Sequence, residues 1–225
     1  MTALRVIAID GPAGSGKSTV ARAVATALGY VYVDTGAIYR CVALAAQRRG
    51  IGFDQGPALA ALAAGLAIEF RDDSGGQQVF LDDNDASTGI RAPEISMAAS
   101  TISAHAPVRA ALLELQRRLA LGGAGAVLEG RDIGTVVFPD AGLKVYLSAS
   151  VEQRAQRRFL ELQQRGERCE LAAVIDDLRA RDQRDETRQA APLRCAADAV
   201  AVDSTGLTVA QVVARIVDLA RQRLD

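Results

Sequence analysis

The chain has 225 residues, a formal net charge of −1 and a hydrophobic fraction of 49%, which suits one α/β domain or one domain with a smaller insert. Its near-neutral charge, 4% aromatic content and lack of tryptophan argue against nucleic-acid binding, which needs a basic face and usually stacking aromatics. No apolar run approaches the ~20 residues of a membrane span, and no signal-peptide pattern precedes the first strand, so we expect a soluble cytoplasmic protein.

Cysteine and lysine usage narrow the chemistry further. Cys41, Cys169 and Cys195 are far apart and outside any metal-ligand spacing, which favours reduced thiols over redox or zinc chemistry. Only two of the 26 basic residues are lysine, Lys17 and Lys144, and the others are arginine. We therefore expect the arginines to bind discrete phosphate or carboxylate groups.

The first predicted strand, Arg5–Asp10, leads into a glycine-rich segment and then a helix over Lys17–Leu28. Residues 10–19 read DGPAGSGKST, which fits the G-x-x-x-x-G-K-[ST] pattern of a phosphate-binding P-loop, with a ligand-free glycine turn as the alternative. In a P-loop, backbone N–H groups and the helix N-terminus face a polyphosphate. Lys17 would add a positive charge and Ser18 a magnesium ligand. The predicted nucleotide-binding residues are Gly11, Pro12, Ala13, Gly14, Ser15, Gly16, Lys17, Ser18 and Thr19.

A second strand and helix follow at once. The predicted strand Tyr30–Val33 ends in DTGAIYR at 34–40, where a helix begins that runs to about Gln47. Alternating strands and helices predict a parallel sheet, in which ligands bind at the carboxyl ends of the strands. Thr35 and Arg40 are therefore expected at the same edge as the P-loop.

The middle of the chain interrupts this alternation with a hairpin pattern centred on residues 72–76. We interpret about 60–105 as an inserted subdomain that closes over a substrate, with a surface decoration as the alternative. The predicted elements here are a helix at 54–64, strands at 66–70 and 78–81, and helices at 93–103 and 107–121 that begin at prolines.

After a glycine-rich break the chain returns to the sheet with the strand Ala126–Glu129, which delivers GRDIGT at 130–135. A charged pair between glycines, Arg131 and Asp132, at the end of a strand indicates a functional role. A strand at 143–147 and a helix with a capping-box start at 150–153 follow. This helix carries basic residues that suit either the mobile lid of a P-loop kinase or a solvated face. They are Arg154, Arg157 and Arg158.

The next helix, from about Glu170, carries six residues at spacings of 3, 4, 3, 4 and 3, which places them on one face. The face is apolar in its first half and charged in its second, so we expect the core-facing stripe to continue as the wall of a polar cavity. The stripe comprises Leu171, Val174, Leu178, Arg181, Asp185 and Arg188. A strand at 199–202, a turn and an amphipathic helix at 208–223 complete the chain.

The chain shows no evident Ser-His-Asp or Cys-His set, and we expect its sole histidine, His105, to be a loop residue. Phosphoryl transfer to an anionic phosphate needs charge neutralisation and alignment more than a strong base. An acceptor phosphate is already ionised at neutral pH, so its own oxygen can attack the γ-phosphorus. Lys17, magnesium and several arginines would then stabilise the equatorial oxygens.

These motifs together make the full chain resemble the bacterial cytidylate kinases, which are P-loop nucleoside-monophosphate kinases. The resemblance implies a five-stranded parallel sheet between helices, a lid at about 154–168 and an enlarged monophosphate-binding insert with a small antiparallel sheet. It also implies phosphoryl transfer from ATP, with Mg²⁺, to CMP or dCMP, and we expect a monomer. The segments that carry it are 10–19, 34–40, Ile90–Arg91, 98–100, 107–109, EGRDIGTVVFPDA at 129–141, RDQRD at 181–185 with Arg188, and DSTGLT at 203–208.

Carried over by position, the resemblance assigns roles to individual residues. Those expected to face the cytosine are Ser100, Arg109 and Asp132. Those expected at the ribose are Arg181 and Asp185. The acceptor phosphate or the transferring group would be held by Thr35, Arg40, Arg131 and Arg188, with Lys17, Arg131 and Arg188 as the catalytic set. The lid arginines Arg154, Arg157 and Arg158 would bind the donor; whether Glu129 helps to hold the metal through water is left open.

Other functions remain as alternatives. Within the enzyme class, the acceptor could be UMP, shikimate or gluconate. A GTP switch is disfavoured because the guanine-reading N-K-x-D element is absent, and the sole asparagine, Asn84, is followed by Asp85. A regulatory nucleotide-binding module without catalysis is disfavoured by the intact Lys17, Ser18 and arginine set.

Overall fold

A computed structural model describes residues 4–73, 76–121, 123–164 and 166–224. The strands are β1 (Leu4–Asp10), β2 (Val31–Asp34), β3 (Ile68–Asp73), β4 (Gly76–Leu81), β5 (Asn84–Asp85), β6 (Ala126–Gly130), β7 (Ala141–Ser148) and β8 (Val200–Asp203). The α-helices are α1 (Lys17–Leu28), α2 (Thr35–Arg48), α3 (Gly56–Gly65), α4 (Pro93–Ile102), α5 (Ala106–Ala120), α6 (Val151–Gln164), α7 (Leu171–Thr187) and α8 (Val209–Leu224).

The chain divides into two compact units. One combines the chain up to Tyr32 with the chain from Ala120 onward, and the other comprises Val33–Leu119. The second unit is larger than the insert predicted at about 60–105, whose functional boundaries stay a prediction. The predicted lid at about 154–168 includes Arg165, which lies outside the described residues.

Within the described ranges, five strands form the large sheet in the order β2-β6-β1-β7-β8. β1 pairs in parallel with both β6 and β7, and β7 pairs in parallel with β8. The central position of β1 explains why Val6–Ile9 are all apolar and buried, without alternation. The predicted parallel sheet is confirmed. The P-loop and the Arg131–Asp132 pair follow the carboxyl ends of its adjacent strands β1 and β6.

Helices α1 and α8 bury an apolar layer against this sheet. Val24 of α1 and Ile216 of α8 belong to one buried cluster with Ile7 and Leu147 of the strands. Helix α1 has the predicted bounds, and Gly29 ends it in a left-handed conformation with φ 66°. None of the described helices is long and apolar enough to cross a membrane.

The second unit is built around α2, which is buried over most of its length. Ile38 of α2, Leu59 of α3, Ile95 of α4 and Leu112 of α5 belong to one apolar cluster. Strands β3 and β4 pair antiparallel, with Ile68 opposite Leu81, so the predicted hairpin is found. Two residues of its predicted turn, 74 and 75, lie outside the described residues.

Three local features differ from the sequence-based expectation. Strand β5 adds two polar residues antiparallel to β4, and two residues are too short to produce a periodic signal. A π-helix forms at Ile133–Val137, where the sequence predicts only a loop. Strand β3 begins at Ile68 rather than Leu66 because Leu66 closes α3, with its N–H bonded to the Ala63 carbonyl.

Candidate active site

The P-loop backbone takes conformations that require glycine. A Cβ at Gly11, where φ is 155°, would collide with the Leu147 carbonyl oxygen, so the loop passes too close to β7 for a side chain. Gly16, at φ 90°, is the N-cap of α1. The N-terminal end of α1, with its unpaired N–H groups and positive partial charge, therefore follows directly on the loop. This geometry suits a bound polyphosphate.

Lys17 is buried at the start of α1, and its Nζ donates to the Pro12 carbonyl over 2.7 Å. Burial, and next the positive charge of Arg131, lower the pKa of Lys17 from 10.5 to about 7, against the opposing effect of Glu129 and Asp185. The nearby carboxylates therefore compensate the positive charge of the ammonium group only in part. Such a site gains from an incoming anion.

Asp10 connects the P-loop to the segment that carries Arg131 and Asp132. Its two carboxylate oxygens accept the backbone N–H groups of Ile133 and Gly134, each over 2.8 Å. Burial raises the pKa of Asp10 from 3.8 to about 6, and these two hydrogen bonds oppose the shift. The carboxylate therefore fixes the first turn of the π-helix, directly after the Arg131–Asp132 pair.

Five charged residues form what we call the arginine–carboxylate cluster, in which three guanidinium groups face two carboxylates. The Arg131 Nε donates to the Asp185 Oδ2 over 2.7 Å. Arg188 lies 3.5 Å from Asp132 and 4.0 Å from Asp185. The members are Arg131, Asp132, Arg181, Asp185 and Arg188. The cluster joins the segment after β6 to α7, and its excess of guanidinium groups favours an anionic ligand.

Electrostatic effects favour the charged form of Asp185 and disfavour that of Arg181. Burial alone would raise the pKa of Asp185, but its pairing with Arg131 and the charges of Arg188 and Arg181 together lower it. Burial and then Arg131 lower the pKa of Arg181. The Arg181 Nε is buried without a hydrogen-bond partner among the described residues. An unpaired buried donor of this kind is expected where a ligand supplies the acceptor.

The predicted stripe on α7 is mostly confirmed. Val174 and Leu178 are buried in the apolar cluster, and Asp185 is buried in the charged one. Leu171, in contrast, is 36% exposed, because it is the first residue of the helix. Arg188 lies just beyond the last helical turn as the C-cap, and its Nε donates to the Ala191 carbonyl over 2.8 Å.

The three basic residues predicted for the lid have different surroundings. Arg154 donates to the Ala13 carbonyl over 2.8 Å, and Arg157 donates to both the Ser204 carbonyl and its Oγ. Arg158 forms an exposed pair with Glu161 at 3.2 Å. Arg154 and Arg157 contact the P-loop, Arg157 through the Ser15 carbonyl over 3.4 Å. Direct contact of any of the three with ATP stays a prediction.

In the second unit, DTGAIYR forms the start of α2. Asp34 accepts the Ala37 N–H over 2.9 Å as the N-cap and pairs with Arg40 over 2.7 Å. Thr35 is buried in the first turn. The capping carboxylate thus fixes the orientation of the Arg40 side chain, which donates to it through Nη2. These contacts place Thr35 and Arg40 on one helix start, as the sequence predicts.

The residues predicted to face the cytosine from this unit are Ser100 and Arg109. The Ser100 Oγ is buried without a hydrogen-bond partner in the described part of the chain. Arg109 lies over the Tyr39 ring at 5.5 Å and donates to the Ser103 carbonyl over 3.2 Å. His105 precedes α5, with its Nε2 at 2.9 Å from the Phe53 carbonyl. A base-binding role for Ser100 and Arg109 stays a prediction.

Oxygen donors for a metal are present near the P-loop. Ser18 is exposed in the first turn of α1, and Glu129 pairs in register with Ile9 of β1 while it accepts the Tyr32 hydroxyl. A hydroxyl and a carboxylate fit Mg²⁺, which prefers oxygen and completes its shell with phosphates and water. Among the described residues, no group of three or more His, Cys, Asp or Glu side chains could hold a metal by itself.

Sequence reasoning missed four residues that support this site. Asp10, Tyr32, Asp182 and Ser204 all bond to, or lie within, segments that the motifs identify. Asp10 could have been found, because it ends a strand in the motif itself. Asp182 binds the Ala13 N–H and Ser204 binds the Arg157 guanidinium, 169 and 47 residues away in sequence, and no local pattern carries that information.

The family model and the most similar relatives reported below name the same family. The model of the cytidylate kinase family matches residues 7–222. The cytidylate kinase of Citrifermentans bemidjiense is 51% identical over 219 residues, which cover 97% of this chain and 94% of that protein. That of Geobacter sulfurreducens is 50% identical over 218 residues, with 97% and 93% covered. A solved structure of an uncharacterized protein from Eubacterium ventriosum matches with a TM-score of 0.52 at 10% identity, over 97% of this chain and 99% of that one, a likeness of fold alone.

Proposed function

This chain belongs to the cytidylate kinase family, and we propose on that basis that it transfers the γ-phosphoryl group of ATP to CMP or dCMP, giving ADP and CDP or dCDP. The family match over nearly the whole chain carries this proposal. The glycine conformations of the P-loop, the buried Lys17 and the arginine–carboxylate cluster support it.

For the donor, we propose that residues 11–19 bind the ATP phosphates. The α1 N-terminus and Lys17 would stabilise charge that develops on the transferring group. Lys17 suits this role because its side chain is already removed from water, and bound phosphates would favour its ammonium form. Arg157 and Arg158 on α6 would contact the donor from the lid.

For the acceptor, we propose that the CMP phosphate is held by Arg131 and Arg188 from the cluster and by Thr35 and Arg40 from the start of α2. Guanidinium groups match a phosphate with paired N–H donors, and a phosphate dianion needs no base to become a nucleophile. The role of the protein is then to align two anions that repel each other. Arginines on both the acceptor phosphate and the transferring group lower that repulsion.

Base and sugar recognition are proposed for the remaining polar groups. Asp132 would accept the exocyclic amino group of cytosine, which uracil replaces with a carbonyl. Ser100 and Arg109 would complete the base site, and the buried Ser100 Oγ without a partner supports this role. Arg181 and Asp185 would bind the ribose, and the unpaired Arg181 Nε supports that assignment.

For the metal, we propose that Ser18 binds Mg²⁺ together with the ATP phosphates, with Glu129 acting through water. When bound, Mg²⁺ neutralises phosphate charge and helps to orient the triphosphate. We further propose a monomer that works in the cytoplasm, where its nucleotide substrates are present. Sedimentation of the purified protein at catalytic concentration tests the oligomeric state.

The proposal is tested by initial rates on CMP, dCMP, UMP, AMP and GMP with ATP and Mg²⁺ under one set of conditions. We expect CMP and dCMP to be the best acceptors because Asp132 rejects a carbonyl at the position of the amino group. Turnover of UMP equal to or faster than that of CMP would contradict the assignment.

A further inference from the structure

The N–H and the carbonyl of Ala13, which belong to two consecutive peptide groups in the first half of the P-loop, both bond to one ion pair. Asp182 of α7 accepts the Ala13 N–H through Oδ1 over 3.2 Å. Arg154 of α6 donates to the Ala13 carbonyl over 2.8 Å and pairs with the Asp182 Oδ2 over 2.7 Å. The Arg154 Nε also donates to the Ala149 carbonyl over 3.0 Å. The two backbone polar groups of Ala13 are therefore each bonded to a charged side chain.

Apolar side chains of α6 and α7 also pack against Ala13. The Ala13 methyl belongs to a buried cluster with Ala155 of α6 and with Val174 and Leu178 of α7. A Cβ at Gly14 would lie 3.3 Å from the Arg154 Cβ, so the loop runs in close contact with α6. The tip of the P-loop is thus fixed to both helices by its side chain as well as by its backbone.

Because the ion pair is buried, we attribute its main effect to the orientation of the loop backbone and not to a gain in stability. The side chains of Arg154 and Asp182 are 7% and 14% exposed, so both charges have lost most of their hydration. A buried pair of this kind is often no more stabilising than apolar residues of the same size. What apolar residues could not do is satisfy the Ala13 N–H and carbonyl together and so fix the two peptide groups that flank Ala13.

The occupied Ala13 N–H also limits the phosphate site. Because Asp182 accepts this group, the amides that are left for a polyphosphate begin after Ala13. The orientation of those amides depends on how the two peptide groups that flank Ala13 are fixed, since the loop turns through Gly14 and Gly16 at positive φ. A change at Ala13 would therefore alter the directions of the loop amides that precede α1.

We propose that Asp182 and Arg154 are positioning residues for the donor phosphates, which act through the Ala13 N–H and carbonyl and tie the P-loop to helices α6 and α7. This inference rests on the proposed function, because it takes ATP as the ligand of the loop. Asp182 has no role in the family-based assignments above, and its contribution is therefore new. Arg154 works through the loop backbone instead of touching ATP.

The first test is the variant Asp182→Ala, with Asp176→Asn as a matched control. Asp176 lies on the same helix in an exposed pair with Arg179 at 4.0 Å. We expect Asp182→Ala to raise the KM and the calorimetric Kd for ATP by ~10-fold, the loss of about one charged hydrogen bond. The KM for CMP should stay within about twofold. Asp176→Asn should leave all of these constants unchanged.

A second pair of variants separates positioning from general stability. Asp182→Asn keeps an acceptor for the Ala13 N–H but loses the charge that pairs with Arg154, so we expect a smaller rise in the ATP constants. It also keeps the test decisive if Asp182→Ala does not fold. Arg154→Lys should weaken ATP binding in the same way, because one ammonium cannot bond to Ala149, Ala13 and Asp182 in the present geometry. In the double variant the effects should be less than additive.

The outcomes are distinguishable. A selective loss of ATP affinity in the Asp182 variants, with coupling to Arg154, supports the proposal. Equal changes in the ATP and CMP constants, or a lower melting temperature with normal ATP affinity, would overturn it. Calorimetry with ATP alone needs no acceptor. A wrong acceptor assignment would therefore appear as absent CMP turnover in the unsubstituted protein, while the ATP measurement would still decide the role of Asp182.

Discussion

The P-loop and the arginine–carboxylate cluster begin at the ends of adjacent strands of one sheet, yet they are built from different groups. The P-loop offers mainly backbone, with glycines at positive φ and a single lysine. The cluster offers side chains from the segment after β6 and from α7. Backbone N–H groups bind any polyphosphate in the same way, whereas side chains can differ with the ligand. The comparison assigns generic donor binding to the first region and acceptor identity to the second.

The largest effect that this comparison predicts is on Lys17, the one charged side chain of the P-loop. Lys17→Ala should lower kcat by ~100-fold or more, because it removes charge stabilisation of the transferring group. The melting temperature should not fall, since the buried ammonium is poorly compensated. Steady-state rates give kcat and thermal unfolding gives the melting temperature. The control is Arg179→Ala, at an exposed position on α7. Near-normal turnover would remove Lys17 from the mechanism.

The next effect concerns Asp132 in the cluster. Asp132→Asn should reduce the CMP-to-UMP ratio of kcat/KM by ~10-fold, because an amide can donate to the uracil carbonyl as well as accept. The ATP constants should change less than the CMP constants. The matched control is Asp140→Asn, on an exposed residue of the same segment. An unchanged ratio would show that Asp132 does not recognise the base. It would then contradict the assignment of acceptor identity to the arginine–carboxylate cluster.

A third prediction concerns the proton balance of ATP binding. The pKa of Lys17 is lowered from 10.5 to about 7 by burial and then by Arg131, so the free protein holds this amine mostly neutral at about pH 8. Bound phosphates favour the ammonium form and raise the pKa again. ATP binding should therefore take up close to one proton at about pH 8 and much less at about pH 6.

Calorimetry of ATP binding in buffers of different ionisation enthalpy measures this uptake. Lys17→Ala is the control, since it removes the titrating group and should remove the dependence on buffer. Uptake of the same size in Lys17→Ala, or proton release at pH 8, would mean that another group responds to the phosphates.

The smallest predicted effect concerns Asp10, which links the two regions. Burial raises the pKa of Asp10 from 3.8 to about 6, so in this range the folded protein binds a proton that the unfolded chain has lost. The contribution of Asp10 to the free energy of unfolding should therefore fall as the pH rises from about 4 to about 6. Asp10→Asn should remove this contribution, which is on the order of 2 kcal/mol between about pH 4 and about pH 6.

Urea unfolding at several pH values between about 4 and 7 tests the slope of Asp10→Asn against that of the unsubstituted protein. Asp140→Asn again serves as the control. Identical slopes in all three proteins would show that burial does not raise the pKa of Asp10.

The sequence predicts the P-loop side of the comparison well, because its signals are local. The local sequence pattern predicts the bounds of α1, the left-handed Gly29 and the buried run before Asp10. The Ser150 cap of α6, which accepts the Gln153 N–H over 3.2 Å, is equally local. The parallel sheet follows from the order of these elements.

The supporting contacts could not be predicted, because they depend on the folded arrangement. The hydrogen bonds of Asp10 to Ile133 and of Asp182 to Ala13 join residues 123 and 169 positions apart. The π-helix at 133–137 depends in part on the Asp10 carboxylate, which no local propensity includes. Strand β5 exists only through its pairing with β4.

The most direct test of the account is a competition in one reaction. Equal concentrations of CMP and UMP are supplied with limiting ATP and with Mg²⁺, and the CDP and UDP formed are separated and quantified. The account predicts that CDP dominates, and that Asp132→Asn moves the product ratio toward UDP. Equal or greater formation of UDP by the unsubstituted protein would contradict the central claim that the side chains of the arginine–carboxylate cluster select cytidylate.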